Sequence, residues 1–142
     1  DPWRFTIDRQ PSPVTETRVA ITVPDYEAAM EFYHRALGLP IRESWDNPEG
    51  RGAVLEAGIA TVEILSADQA DFIDQVEVGQ RVSGPIRLAL EAADSTVAAE
   101  QLAASGGALL AAAVVTPWGD RNARVRAPEG TQLTLFTAPA TE

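Results

Sequence analysis

The segment RVAITVPDYEAAMEFYHRALG, from Arg18, and the segment RLALEAADSTVAAEQLAASGG, from Arg87, superpose with an offset of 69 residues. Arg18 meets Arg87, Ala20 meets Ala89, Asp25 meets Asp94, Ala29 meets Ala98, Glu31 meets Glu100 and Gly38 meets Gly107. The apolar positions correspond as well, with Val19 and Ile21 over Leu88 and Leu90. A fixed internal period marks a repeated supersecondary unit that cannot bury its apolar face alone, so the two copies have to pack together.

Each copy opens with an alternating run suited to a half-buried strand. Val19, Ile21 and Val23 point to one face and Arg18, Ala20 and Thr22 to the other; in the second copy Leu88 and Leu90 oppose Arg87, Ala89 and Glu91. Asp25 or Asp94 follows, placed to accept a hydrogen bond from a free N–H of the next helix. Apolar residues then recur at three and four spacing, as Ala29, Phe32, Tyr33, Ala36 and Leu37 and, more weakly, as Val97, Ala98 and Leu102. This pattern puts Phe32 and Tyr33 between helix and sheet. Gly38 and the Gly106-Gly107 pair stop the helices, where a left-handed residue is needed.

Short strands are expected after each helix: Ile41–Trp45, Gly52–Ala57 and Thr61–Leu65, then Ala108–Val115, Asn122–Ala127 and Gln132–Phe136. Turns are expected at Glu56-Ala57-Gly58-Ile59 and at Pro128-Glu129-Gly130. The last strands, TVEILS and QLTLFT, match at an offset of 71. The polar stretch Asp68–Ser83 reads as a connector, with a helical turn over Ala70–Val76. The organisation is then an arm (1–14), a first module (15–67), the connector (68–83), a second module (84–137) and a tail (138–142) within one domain.

The 142 residues suffice to bury roughly two-thirds of the unfolded surface. The chain has no cysteine, which excludes disulfides, thiolate metal sites and a cysteine nucleophile. Its single histidine, His34, excludes a multi-histidine metal site within one chain. A formal net charge of −10 without any basic stripe argues against nucleic acid and anionic membranes as partners; it serves solubility alone or, as the other reading, draws in cationic small molecules. No apolar run of about 18 residues is present, and the opening DPWRFTIDRQPSPVT lacks the apolar core of a signal peptide, so a cytoplasmic location is expected.

The pieces VAITVPDYEAAMEFYHRALGLPI, TVEIL and TPWGDRNARVRAPEGTQLTLF resemble the vicinal-oxygen-chelate superfamily, which includes glyoxalases, extradiol dioxygenases and bleomycin-resistance proteins. The resemblance spans Thr15 to Thr137. It implies an α/β (α+β) fold of two tandem β-α-β-β-β modules related by a pseudo-twofold, with a curled mixed sheet enclosing one cleft. It also implies a homodimer. In metal-dependent relatives, four side chains on the first and last strand of each module hold one divalent ion. Carried over, these positions are Arg18, Glu63, Arg87 and Thr134. Only Glu63 is a metal ligand of useful strength, because arginine carries no acceptor and repels a cation. No metal and no other cofactor is therefore expected.

The alternation places Arg18, Ala20, Thr22, Thr61, Glu63 and Leu65 on the cleft face, with Arg87, Ala89, Glu91, Gln132, Thr134 and Phe136 from the second module. Two guanidiniums beside Glu63 either fill the former metal position, with a residual positive charge, or grip a ligand's carboxylate, phosphate or enolate oxygen. Between them Glu63 is expected to have a depressed pKa. Trp118, Trp45, Tyr33, Phe72 and Phe136 are the aromatic candidates for a flat binding wall, with ordinary packing as the alternative, and for Tyr33 the helix-to-sheet core. An ion pair between Asp120 and Arg121 at the rim and a contact of Trp3 with a neighbouring subunit are further expectations. Three functions stay open. The first is metal-independent binding of a partly aromatic small molecule, as in the bleomycin-resistance branch. The second is a lyase, isomerase or dioxygenase-type enzyme with Glu63 catalytic and the arginines replacing the metal. The third is a non-catalytic interaction module with a vestigial cleft.

Overall fold

The computed structural model describes residues 4, 6, 8 and 10–139; Trp3 lies outside the described residues. The first module contains β1 (Val14–Val23), α1 (Tyr26–Met30) running on into a π-helical segment (Glu31–Ala36), β2 (Ile41–Asn47), β3 (Gly50–Ala57) and β4 (Ala60–Ser66). A helix, α2 (Ala67–Glu77), follows. The second module contains β5 (Ile86–Ala92), α3 (Ser95–Ala104), β6 (Ala108–Val115), β7 (Arg121–Arg126) and β8 (Gln132–Thr137). All eight strands join one mixed sheet in the order β2-β3-β4-β1-β5-β8-β7-β6.

The two modules meet edge to edge through the antiparallel β1–β5 ladder, which pairs Arg18 with Ala89, Val19 with Leu88 and Ala20 with Arg87. This register puts the pseudo-twofold at the Val19–Leu88 pair, because residues 69 apart fall at symmetric places around it. The parallel ladders repeat the symmetry: Ala20 pairs with Glu63 across β1–β4, and Ala89 pairs with Thr134 across β5–β8. A one-residue slip would turn every side chain of a strand to the opposite face, so the alternation and the ladder fix each other.

One face of the sheet carries the two repeated helices. Under α1, Ala53, Leu55 and Ile64 are fully buried beneath Tyr26, Ala29, Met30 and Tyr33. Under α3, Ala123, Val125 and Leu135 pack on Ala99. Each fully buried leucine, isoleucine or valine among them contributes about 1.5–3 kcal/mol. Asp25 and Asp94 cap these helices, accepting from the N–H groups of Ala28 at 3.0 Å and Val97 at 3.1 Å. Gly38 has a positive φ of 87° after the first helix.

The apolar face expected on the first helix differs from the one observed. Leu37 N–H reaches back to Phe32 O at 2.9 Å and Leu39 N–H to Tyr33 O at 3.2 Å, so the turn is wider than α-helical. The extra width keeps Tyr33 on the core but turns Phe32 and Leu37 to solvent, 62% and 61% exposed. Ala36 is exposed as well. His34 closes this turn, donating from Nδ1 to Leu39 O at 2.9 Å. A carbonyl only accepts, so Nδ1 carries the proton.

The connector differs too. Instead of a single helical turn over Ala70–Val76, α2 is an 11-residue helix starting at Ala67. Ser66 caps it, its Oγ accepting from Gln69 N–H at 3.2 Å. The helix lies on the face of the sheet opposite α1 and α3, where Ile73 packs on Ala20 and Leu65. Those two positions, expected to face the cleft, are thus roofed by α2.

Candidate functional site

Beside α2, the same face of the sheet holds a cleft of about 690 Å³, within the usual range for small-molecule sites. Its floor is Arg18, Glu63, Arg87, Ala89, Thr134 and Phe136 from the four central strands. Glu43, Trp45 and Asn47 of β2 form one wall, and Gln69, Phe72 and Glu77 of α2 another. The β6–β7 loop adds Pro117, Trp118 and Asp120. Of the candidate site residues singled out from the sequence, Arg18, Glu63, Arg87, Thr134, Trp45, Phe72, Trp118 and Phe136 line this cleft, whereas Tyr33 packs from the first helix onto the other face of the sheet.

The aromatic side chains have distinct supports. Trp45 packs on the cluster of Ala20, Leu65 and Ile73. It lies across Gly52, its partner in the β2–β3 ladder. A Cβ at Gly52 would stand inside the indole ring, so only glycine lets Trp45 lie flat there. Trp118 is 43% exposed, and its ring centroid is 6.4 Å from that of Phe72, tilted by 52°. The Arg18 guanidinium stands 5.1 Å from the centre of the Phe136 ring, a cation–π distance.

Glu63 lies between the two arginines, 3.9 Å from Arg18 NH1 and 3.8 Å from Arg87 NH2. These are ion pairs without hydrogen bonds. Arg18 Nε instead bonds to Glu16, and its NH1 also stands 3.9 Å from Glu43. Arg87 NH1 donates to Thr134 Oγ1 at 2.8 Å. The residual positive charge expected of the trio is therefore not left free, because Glu43 and Glu16, the latter shared with Arg42, join it. Of the other expected cleft residues, Gln132 Oε1 accepts from Arg124 at 3.3 Å, and Glu91 accepts from the Thr15 hydroxyl.

A divalent metal, which the resemblance implies for relatives, does not fit these four positions. Two are guanidiniums with no lone pair to give. The Thr134 oxygen is engaged by Arg87 at 2.8 Å, Arg124 Nε at 3.2 Å and Glu77 at 2.9 Å. Glu63 alone remains. Among the described residues no group of three or more His, Cys, Asp or Glu side chains is arranged to hold an ion.

Glu63 departs from expectation in its acidity. Burial raises its pKa, and the Arg87 and Arg18 charges oppose that shift without overcoming it. At 3.8 and 3.9 Å, without a hydrogen bond to the carboxylate, the guanidiniums repay less than desolvation costs. Burial likewise raises the pKa of Asp120, against Arg18 and the Trp118 indole. Among the described residues Asp120 makes no ion pair with Arg121. Arg121 starts β7 exposed, while Asp120 turns into the cleft.

The sequence reading missed the polar network that seats α2. Arg124 of β7 is fully buried and donates to Asp74 Oδ1 at 3.0 Å and to Glu77 Oε1 at 2.8 Å. Asp74 also accepts from the N–H groups of Val82 and Ser83, each at 2.8 Å, and from the Ser83 hydroxyl at 2.8 Å. Burial would raise the Asp74 pKa, but these hydrogen bonds and Arg124 outweigh it and lower the value. Asn122 Nδ2 donates to Glu77 Oε2 at 2.9 Å. The available signal was Asn122 and Arg124 sharing one phase of a strand, with acids at helical spacing in the connector.

Two β-α-β-β-β modules sharing one sheet and one cleft define the class of protein. The family model described as Glyoxalase/Bleomycin resistance protein/Dioxygenase superfamily matches residues 17–135, and the chain belongs to that superfamily. Among solved structures, it is similar to methylmalonyl-CoA epimerase from Mycobacterium tuberculosis, with 23% identity and a TM-score of 0.63 over 96% of this chain and 94% of that one. A variant of the Streptomyces coelicolor methylmalonyl-CoA epimerase, in complex with 2-nitronate-propionyl-CoA, gives 21% identity and a TM-score of 0.64 over 91% and 98%. A hypothetical protein from Bacillus halodurans C-125 gives 16% and 0.65 over 88% and 94%. At these identities the likeness shows the fold alone. No curated protein matches the sequence. Among the described residues no helix is long and apolar enough to cross a membrane.

Proposed function

We propose that the protein binds a partly aromatic small molecule in this cleft without a metal, sequestering it as the bleomycin-resistance branch of the superfamily does. The observation that carries this reading is an open cleft of about 690 Å³ walled by Trp45, Phe72, Trp118 and Phe136, in which two arginines and a threonine stand where metal ligands would be needed. A vestigial cleft would be packed shut with side chains, so its openness counts against the interaction-module reading. A homodimer is part of the proposal. The outer edge of β6 supports it, with Leu109, Val114 and Val115 exposed and no charged residue in the strand. The binding test is tryptophan fluorescence with a panel of flat aromatic compounds. Saturable quenching that Trp118→Phe weakens supports the proposal; a panel without a single quencher refutes it.

One observation favours a second reading. A carboxylate whose pKa is raised by burial is a better base near neutrality, and Glu63 has that property. With Arg18 and Arg87 stabilising an enolate oxygen, Glu63 would remove a proton from a carbon beside a carbonyl, as in an isomerase or lyase. Solvent deuterium washing into such a carbon in wild type but not in Glu63→Gln would establish this reading; equal exchange in both would end it.

A further inference from the structure

We infer that α2 and the loop behind it, from Ala67 to Ser83, form a lid that lifts off the sheet as one unit while the sheet stays folded, uncovering the cleft floor at Arg87 and Thr134. The inference goes beyond the binding reading and does not depend on what the cleft takes up.

The unit is braced within itself. Asp74, 1% exposed, accepts from the N–H groups of Val82 and Ser83 at 2.8 Å and from the Ser83 hydroxyl at 2.8 Å. Arg81 pairs with Asp71 at 3.3 Å and with Asp74 at 3.5 Å. These bonds tie the loop to the helix. Attachment to the sheet resumes at Pro85, whose carbonyl accepts from Thr22 N–H at 2.8 Å. Gly84 stands between the two attachments, exposed and with open space where its Cβ would be, so the chain has a joint there. At the other end Ser66, still paired with Val23 in the sheet, leads directly into Ala67. A Cβ at Gly50 would stand 2.5 Å from the Gln69 backbone nitrogen, so the first turn of α2 is clasped by β3 and serves as the pivot.

The contact between this unit and the sheet is mostly polar. Of the buried residues of α2, Gln69, Asp74 and Glu77 are polar, and only Ala70 and Ile73 are apolar. Beneath α1 and α3, by contrast, the sheet presents Leu55 and Ile64, and Val125 and Leu135, in apolar clusters. The main tie is Arg124, which donates to Asp74 at 3.0 Å, Glu77 at 2.8 Å and Ser83 at 2.7 Å. Buried charges recover their hydration when such a contact opens, so an ion-paired seat resists local opening less than its short distances suggest.

The same contact is imperfectly made. Among the described residues the buried side-chain polar atoms without a partner are Gln69 Oε1 and Asn122 Oδ1. Gln69 belongs to α2, and Asn122 donates to Glu77 of α2 from the strand beneath. Lifting the helix lets water reach both oxygens, which lowers the cost of opening. A void of about 10 Å³ lies under the helix among Ala20, Leu65, Ala70, Asp74 and Arg87. Arg87 also lines the cleft, so void and cleft join when the lid lifts. A segment with few apolar contacts, its own internal bracing and a joint at each end has the properties of a locally opening unit.

The chain has no cysteine, so one introduced thiol reports opening cleanly. Ala20→Cys places it on β1, 2% exposed beneath Ile73 and beside the void. Ala123→Cys places the control beneath α3, at 0% exposure. Labelling by an aromatic disulfide reagent is followed against urea below the unfolding transition. The thiol of Ala20→Cys is expected to react at least about tenfold faster than that of Ala123→Cys in water, with a much weaker dependence on urea. Should either variant fail to fold, Ala70→Cys and Ala99→Cys repeat the comparison on the two sides of the sheet. Equal rates with equal urea dependence would show that α2 leaves only when the whole domain unfolds and would overturn the inference. Labelling of Ala20→Cys at the rate of a free thiol would overturn it as well, because the lid would then not be closed.

Discussion

Arg124 of β7 donates to Glu77 of α2 at 2.8 Å, with both side chains almost wholly removed from solvent. This pair, with Asp74 and Thr134 around it, holds the connector helix on the sheet and gives the cleft its second wall. Removing one member of a buried ion pair strands the other, which costs about 3–5 kcal/mol. Arg124→Met is therefore expected to lose stability on that scale in urea unfolding. A loss of under about 1 kcal/mol, as for an exposed pair, would show that α2 is not seated as described.

Glu63 makes a prediction of opposite sign. Its pKa is raised in the folded protein above the ordinary 4.5, so the folded state holds this proton more tightly than the unfolded state. Stability then falls as pH rises from the unfolded value through the folded one. Glu63→Gln removes that loss. Its melting temperature is expected to exceed wild type near pH 8, and the difference to close below about pH 4. A Glu63→Gln protein that grows less stable than wild type with rising pH would show that the two arginines outweigh burial.

Gly52 supports Trp45. A methyl group there would displace the indole, so Gly52→Ala is expected to cost about 1–3 kcal/mol through overpacking. It should also shift tryptophan emission and weaken any ligand that stacks on Trp45. Unchanged emission and stability would contradict the placement of the ring.

The wide turn in the first helix separates two neighbours that the sequence treats alike. Tyr33→Ala should cost about 2–5 kcal/mol, whereas Phe32→Ser should stay within about 0.5 kcal/mol. Comparable losses at both positions would restore the regular α-helical face.

The parts of the molecule legible in the sequence are those set by short-range pattern. The repeat of Arg18 on Arg87 places the strands, alternation puts Arg18, Glu63, Arg87 and Thr134 on one face, and the family resemblance makes that face the cleft. Elements decided over long separations were not legible. Asp74 and Glu77 look like solvated acids of a polar connector, and their burial depends on Arg124, 50 and 47 residues away. The π-helical turn leaves no mark in a pattern read at 3.6 residues per turn. The acidity of Glu63 depended on distance: side chains in hydrogen-bond contact would lower it, and side chains at 3.8 Å leave burial to decide.

Metal-free binding of an aromatic small molecule, as proposed, is read from the indole N–H signals of Trp45 and Trp118, followed by NMR in chelator-treated protein during titration with aromatic fragments. Fragments are expected to shift both signals saturably without any divalent ion. Shifts that arise only after one metal ion per chain has been taken up would contradict it.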